Sequence, residues 1–378
     1  MTQNQSLRKP RGFAGDGTAP PPARTGAIRL PRIGLQATLA PCYGPSMTLP
    51  AGTMDAQAML AQGLRLLADP ATNAQGTRLI VDAAHAGNAE ALHLVALMAA
   101  VDDTLGAERW GYALAYLGRA AIAGHGLARK TLAFLAGDAA VTEALANGAT
   151  FDDETWRRLH DAITPATWLE TPVLAKLSAA PAIASAPGLF SPAMCDWIIA
   201  RARPHLKRAQ VYDPGEGAGR TALERTNSEM RFEFPALDLV LLLAFHRIAK
   251  ISGFAFKGWE PASVLHYLPG QEFRRHYDYL DPAIPAYAAE IAGHGQRLAT
   301  MLVYLSEDFS GGETDFPLAG ICFKGRRGDA VLFHNVTRAG EPDPATLHAG
   351  LAPVHGEKWL LSQWIRGRVL PPGALWAA

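Results

Sequence analysis

The 378 residues suffice for two domains that each bury a core of their own. Thirty-five basic residues balance 35 acidic ones, which excludes the electrostatic footprint of a nucleic-acid or anionic-membrane binder. Three scattered cysteines, Cys42, Cys195 and Cys322, exclude a disulfide framework, and no run approaches the roughly 20 apolar residues of a bilayer span, so a cytoplasmic setting is expected.

Residues 1–53 are rich in Pro, Gly, Ala and Arg, with no helical or strand periodicity. The run Pro20-Pro21-Pro22 cannot sit inside a helix or a central strand. The segment reads as a disordered leader, and basic residues without an apolar core behind them do not make it a secretory signal. Translation from Met54, where ordered sequence begins, is an alternative start.

Residues 54–148 turn helical and Ala/Leu-rich. Segments 82–87 and 119–124 echo each other at an offset of 37 residues, ending in Ala86-Gly87 and Ala123-Gly124. Small residues let paired helices approach closely, and each glycine suits the turn between them. The region resembles the Sel1-like branch of the tetratricopeptide superfamily, which implies a groove for a peptide or protein partner. A helical bundle that props up the second domain is the other reading. Residues 149–180 read as a helical connector.

After Pro187 the pattern changes. One helix is predicted over 191–206, with Ser191 as N-cap and Pro192 as its first residue, and a second over 237–251. Strand-like runs follow at 262–268, 272–279, 297–305, 312–317, 320–324, 329–335, 346–353 and 358–366. Eight short strands punctuated by glycine predict a sandwich or jelly roll over residues 181–370. The fold class is therefore α+β, with an all-α repeat domain ahead of a β-rich one.

His276 and Asp278 lie two apart in a predicted strand, so both side chains project from one face. With His348 they make a two-histidine, one-carboxylate set, the combination that leaves open positions on Fe(II) for oxygen chemistry. Lys358, ten residues beyond His348, supplies a point charge for the far carboxylate of a diacid co-substrate. The turn at 355–357 is expected to set it beside the metal-bearing strand.

The stretches 265–279, 297–305, 311–317, 328–333, 347–350 and 353–359, with 190–196 upstream, resemble the prolyl 4-hydroxylase branch of the 2-oxoglutarate oxygenases. The resemblance spans residues 180–368 and implies a double-stranded β-helix. It implies His276, Asp278 and His348 as Fe(II) ligands, and Lys358 with the Tyr267 hydroxyl as the grip on 2-oxoglutarate. Arg297 and Trp364 would line the peptide side, and residues 225–228 would form a mobile loop closing over substrate. Phe273 departs from the pattern, standing where plant-type and algal members have a substrate-holding tyrosine. The implied reaction consumes O₂ and 2-oxoglutarate, releases succinate and CO₂, and hydroxylates a peptidyl or protein residue, proline first; ascorbate would serve as reductant. No nucleic-acid or membrane partner is implied. Hydroxylation of a free amino acid or another small metabolite is the alternative within enzymes. A scaffold that has lost turnover is the alternative outside them.

Other residues take plainer roles. His85, His93 and His125 are expected to be exposed on helices, and His266 to face away from Tyr267. His334 and His355 lack the spacing of ligands. Arg297 could instead form a salt bridge in the barrel, and Trp364 could be core. Cys322 is expected to be a small buried hydrophobe.

Overall fold

The computed structural model describes residues 54–368 apart from 68, 70, 214–217, 221–222, 234–235 and 257–258. The expected leader, with Cys42, and the last two residues of the expected 181–370 domain lie outside the described residues. Helices come first: α1 (Ala56–Leu67), α2 (Asn73–His85), α3 (Ala89–Val101), α4 (Arg109–Ile122), α5 (Gly126–Leu135), α6 (Ala139–Ala146), α7 (Asp153–Ala162) and α8 (Pro165–Trp168). The two echoing segments prove to be helix ends. Gly87 and Gly124 adopt φ of 85° and 95°, a left-handed turn that a side chain resists. The next residue caps the following helix in each case: Asn88 accepts from the Ala91 N–H, and His125 Nδ1 accepts from the Ala128 N–H. Asp138 does the same for α6 through the Val141 N–H.

The histidines of this region differ from expectation. His93 is buried, and its ring stacks on that of His125 at 4.4 Å, because α3 is enclosed on nearly every side. His125 is half-buried and pairs with Glu90 at 2.9 Å, while His85 meets the Tyr116 hydroxyl at 3.2 Å.

The second half runs β1 (Ala175–Ala179), β2 (Ala182–Ala186), α9 (Pro192–Ala202), β3 (Lys207–Arg208), β4 (Val211–Asp213), β5 (Ala218–Arg220), β6 (Ser228–Arg231), α10 (Leu239–Ser252), β7 (Ser263–Tyr267), β8 (Phe273–His276) and α11 (Pro285–His294). It continues through β9 (Gln296–Tyr304), β10 (Phe309–Gly311), β11 (Thr314–Phe316), β12 (Ile321–Phe323), β13 (Ala330–His334), β14 (His348–Gly350), β15 (Pro353–Gly356) and β16 (Lys358–Gly367). The Ser191 hydroxyl caps α9 as expected, accepting from the Met194 N–H. The expected helical connector ends early, since β1 already pairs with β2. The single strand expected over 346–353 is two strands in different sheets: β14 joins β8 and β11, while β15 joins β10. Pro353, which has no N–H to give a ladder, stands at the start of β15. Cys322 is exposed on the outer strand β12 rather than buried.

A major antiparallel sheet, ordered β1-β2-β13-β9-β16-β7-β6-β3, faces a minor sheet ordered β12-β11-β14-β8. Between them lie Ile183, Leu302, Val331 and Phe333 from the major sheet and Phe316 from the minor one. The other face of the major sheet packs on helices. On β16, Trp359, Leu361 and Ile365 join the large apolar core, while Leu360, Ser362 and Trp364 line the space between the sheets. Burial on both faces explains why β9 and β16 read as nearly continuous apolar runs.

Helix α10 welds the two halves together. The Asp238 carboxylate caps it, accepting from the Leu241 N–H at 2.9 Å and from Trp197 Nε1 and Arg201 Nε of α9, both at 3.0 Å. His246 reaches the Ala100 carbonyl at the end of α3 at 3.2 Å, and Arg247 donates to the Leu189 and Trp168 carbonyls. One apolar core accordingly runs from Met59 to Ile365. Leu242→Ala inside it is expected to lower unfolding free energy by about 2–5 kcal/mol. A chain beginning near Ala180 should bind hydrophobic dyes and lose its cooperative melt, because the face of α10 turned to α3 is stripped bare. A soluble fragment with a sharp thermal transition would show that the halves are independent.

Candidate active site

His276 on β8 stands directly opposite His348 on β14, with ring centroids 4.2 Å apart. The strand expected over 272–279 ends at His276, so Asp278 occupies the bend that follows. The bend still turns its carboxylate between the rings. Oδ1 lies 3.6 Å from His276 Nε2, and Oδ2 lies 3.6 Å from His348 Nε2. One ligand atom from each residue falls within 4.8 Å of the others.

Each imidazole is held by its other nitrogen. His276 Nδ1 donates to the Arg274 carbonyl at 2.7 Å, and His348 Nδ1 to the Thr346 carbonyl at 3.0 Å. A carbonyl can only accept, so the proton sits on Nδ1 and the Nε2 lone pair faces inward. Burial, then the neighbouring His276, pushes His348 down to about 4, which leaves it neutral at pH 7. Burial works against an ionised Asp278, but His348 and His276 outweigh it and hold the carboxyl well below the usual range. Thr300 on β9 donates to Asp278 Oδ2 at 2.8 Å and in turn accepts from Asn335 Nδ2 at 3.0 Å. Two imidazoles that present Nε2 inward and an anchored carboxylate are a donor set that fits a divalent iron ion.

Lys358 does not lie beside the metal-bearing strand as expected. It begins β16 in the major sheet, opposite Tyr267 of β7, and approaches the minor sheet across the sandwich. The reason is that β15 leaves the minor sheet before the chain turns back. Lys358 is fully buried, and among the described residues its ammonium has no hydrogen-bond partner. It rests 4.8 Å from the Tyr267 ring centroid and 5.8 Å from that of Tyr304. Burial pulls its pKa down to about 7, with Glu313 opposing. Burial also pushes the Tyr267 hydroxyl upward. A Cβ on Gly350 would stand 3.3 Å from Tyr267 Oη and 3.8 Å from Lys358 Nζ, so β14 passes this pair with little room for a side chain. Leu265, Leu302 and Leu360 line the same pocket as the triad. A buried cation without a partner is costly, and a small carboxylate ligand would complete it.

Outside the triad an open cleft of about 410 Å³ spreads over Phe273, Arg297 and Trp364. Arg297 is not a free fork. It donates to both Glu260 oxygens, at 2.5 and 2.9 Å, and to the Asp278 carbonyl at 3.3 Å, while its guanidinium lies 3.6 Å from the Trp364 ring centroid. Arg366 shares the buried Glu260 at 2.8 Å. Trp364 is half-buried and borders both the inner pocket and the cleft. Phe273 stacks on the His276 ring at 3.5 Å, so it steadies a candidate ligand. Residues 225–228 are fastened rather than arranged as a free lid. Arg225 is buried, bonded to Glu229 at 2.8 Å and to the Gln210 carbonyl at 2.9 Å, and Ser228 begins β6. His266 faces away from Tyr267, meeting Glu357 at 3.1 Å.

Thr300, Asn335, Gly350 and Glu260 were not foreseen. Thr300 carried a signal, as the sole hydroxyl between Leu298 and Val303 in an apolar strand. The others depend on contacts between distant elements. Thr300→Val is expected to weaken iron(II) binding about 10–100-fold with the melting temperature little changed, read by anaerobic metal titration. Gly350→Ala should leave metal affinity intact and impair binding of a carboxylate ligand at Lys358, and equal ligand affinity would show that this approach is not close in solution.

Residues 262–366 match the 2OG-Fe(II) oxygenase superfamily. Prolyl 4-hydroxylase 1 of Arabidopsis thaliana is 36% identical over 191 residues, covering 47% of this chain and 66% of that protein. Probable prolyl 4-hydroxylase 6 of the same plant is 32% identical over 203 residues, covering 48% and 67%. The first of these relatives is thus spanned over a little less than two thirds of its length. Among solved structures, the 2OG complex of the viral collagen prolyl hydroxylase of Paramecium Bursaria Chlorella virus-1 is 28% identical, with a TM-score of 0.39, over 49% of this chain and 96% of that one. Likeness in sequence, running through the very strands that carry the triad and Lys358, makes this chain a member of the 2OG-Fe(II) oxygenase superfamily, in its prolyl 4-hydroxylase-like branch.

Proposed function

We propose that the chain hydroxylates a peptidyl or protein residue, proline first, using 2-oxoglutarate and O₂. The observation that carries this reading is a two-histidine, one-carboxylate cluster whose pocket is lined by Tyr267 and Gly350, beside which sits a buried ammonium, Lys358, with no hydrogen-bond partner among the described residues. The names of the plant relatives support proline as the target. Iron(II), 2-oxoglutarate and O₂ together supply the oxidising power, one oxygen atom leaving in succinate beside CO₂ and the other entering a C–H bond of the substrate.

The protein's share is orientation and exclusion of water. His276, Asp278 and His348 would hold the iron, with Thr300 and two backbone carbonyls fixing their directions. Lys358, with Tyr267, would hold the far carboxylate of the co-substrate, and Leu265, Leu302 and Leu360 keep that end dry. Trp364 would meet the substrate, with Arg297 acting through it from behind. Ascorbate as reductant and a cytoplasmic setting belong to the same proposal. The Sel1-like region would stiffen the catalytic half through α10, a role its continuous core supports more directly than a separate peptide grip.

Mass-spectrometric detection of an added oxygen atom on a proline peptide, with one succinate per hydroxylation, tests the proposal. Succinate release stimulated only by free amino acids would turn it towards the small-metabolite alternative. His276→Ala and His348→Ala should each abolish turnover and micromolar iron binding while the fold persists.

Lys358→Ala is expected to raise the 2-oxoglutarate requirement by about ten- to a hundredfold, the loss of a charge-assisted contact of roughly 1.5–3 kcal/mol. The pH dependence has a definite sign. Without ligand, Lys358 titrates near 7; an anion beside its ammonium raises that value, so binding takes up a proton above pH 7. Co-substrate affinity should therefore weaken as pH rises from about 7, by up to about tenfold per unit. A flat affinity between about pH 6.5 and 8.5, a range that brackets the expected midpoint, would place the anion elsewhere.

A further inference from the structure

The chain's charge is balanced overall, but its distribution around the cleft is not. Arg274 and Arg275 project from β8 immediately before His276, both exposed, and line the outer cleft. Arg274 has Glu272 at 3.0 Å, whereas Arg275 makes no ion pair among the described residues. The cleft continues into a second groove of about 630 Å³ beside β3, and Gln210 and Arg231 border both. That groove adds Lys207 and Arg208, both exposed; Arg208 donates to the Thr226 carbonyl, and Lys207 makes no ion pair among the described residues. The acid of this groove, Glu229, is already bound by Arg225 at 2.8 Å and stands 3.8 Å from Arg231. Glu224 is an exposed acid on the cleft rim. The deeper acids, Glu260 and Glu290, are engaged by Arg297 and Arg366.

We infer that the substrate is an acidic stretch of peptide, with carboxylates beside the residue delivered to the metal. Lys207, Arg231, Arg274 and Arg275 form the track that receives them. The inference rests on the peptide-hydroxylase reading above and names its substrate class. Complementarity of charge is the argument: four cations line one continuous path to the candidate metal site, and two of them have no acid of their own among the described residues. Exposed ion pairs are individually weak and screened by salt, so the track acts by number and by steering the encounter. Main chain supports a peptide occupant as well. Among the described residues strand β3 closes the major sheet with a partner on one side only, which leaves an edge along which an extended chain can lie.

The test uses the full chain with iron(II) and 2-oxoglutarate and labelled peptides of equal length. Each has a central proline flanked by Glu, Gln or Lys. Binding is read anaerobically by fluorescence anisotropy, and hydroxylation by mass. The Glu peptide should bind about tenfold or more tightly than the Gln peptide, and the Lys peptide should bind weakest. The gap should close as salt rises. Arg275→Glu and Lys207→Glu should each weaken the Glu peptide roughly two- to fivefold and strengthen the Lys peptide. Equal binding of the three peptides, or a preference that survives both reversals, overturns the inference. Tighter binding of a single-stranded oligonucleotide than of the Glu peptide overturns it too. A Glu peptide that binds through Arg275 and Lys207 but gains no oxygen upholds the acidic track, and it is then the hydroxylase reading that fails.

Discussion

Burial of the major sheet on both faces is the constraint from which the rest of this molecule follows. Along β16, residues alternate between α10 with its helical neighbours and the space between the sheets. The outward set is apolar at Trp359, Leu361 and Ile365 because it meets a protein interior, and its polar member Gln363 donates to the Glu260 carbonyl. The inward set carries Lys358, Ser362 and Trp364, and so it can carry chemistry. The strand could not serve the pocket without its back being covered. In this chain the cover is α10 and the N-terminal helices, which makes the helical half part of the scaffold.

Electrostatics within the pocket are arranged as complementary deficits. The triad end gathers an ionised Asp278 and two inward lone pairs, and so calls for a cation. The other end holds an ammonium with no acceptor among the described residues, and so calls for an anion. A co-substrate with carboxylate groups, chelated to a divalent metal, answers both at once. Gly350 lets the two ends approach each other, since a methyl group there would press on the Tyr267 hydroxyl and touch Lys358. The surrounding core must supply stability against the burial of that unpaired charge.

The cleft outside obeys a different logic. Its buried charges are satisfied among themselves: Glu260 holds Arg297 and Arg366, and Arg297 props Trp364 and the Asp278 carbonyl. Its exposed charges are cationic in excess and partly unpaired. Buried networks of this kind hold shape, whereas solvated charge selects and steers a partner. Phe273 belongs to the first group. It lacks the hydroxyl that would grip a substrate, and it spends its ring on His276.

The sequence by itself determined the α+β class and the glycine-terminated helices, and it named the three side chains that converge as a triad. The spacing of His276 and Asp278 points to one shared face, and the resemblance of the surrounding motifs to the 2-oxoglutarate oxygenases singles out His348 and Lys358 beside them. It also fixed the Ser191 cap, whose partner lies three residues away. Tertiary structure alone decided the rest. Only strand order puts Lys358 in the sheet opposite the triad, and only packing between distant elements commits Arg297 to Glu260 or buries His93 beneath its neighbours. The split of 346–353 into β14 and β15 turns on which neighbours each half finds. Caps and periodicity are local interactions written within a few residues, whereas pairing, burial and charge compensation join segments far apart in the chain. A single sequence records the residues that meet there but not the meeting.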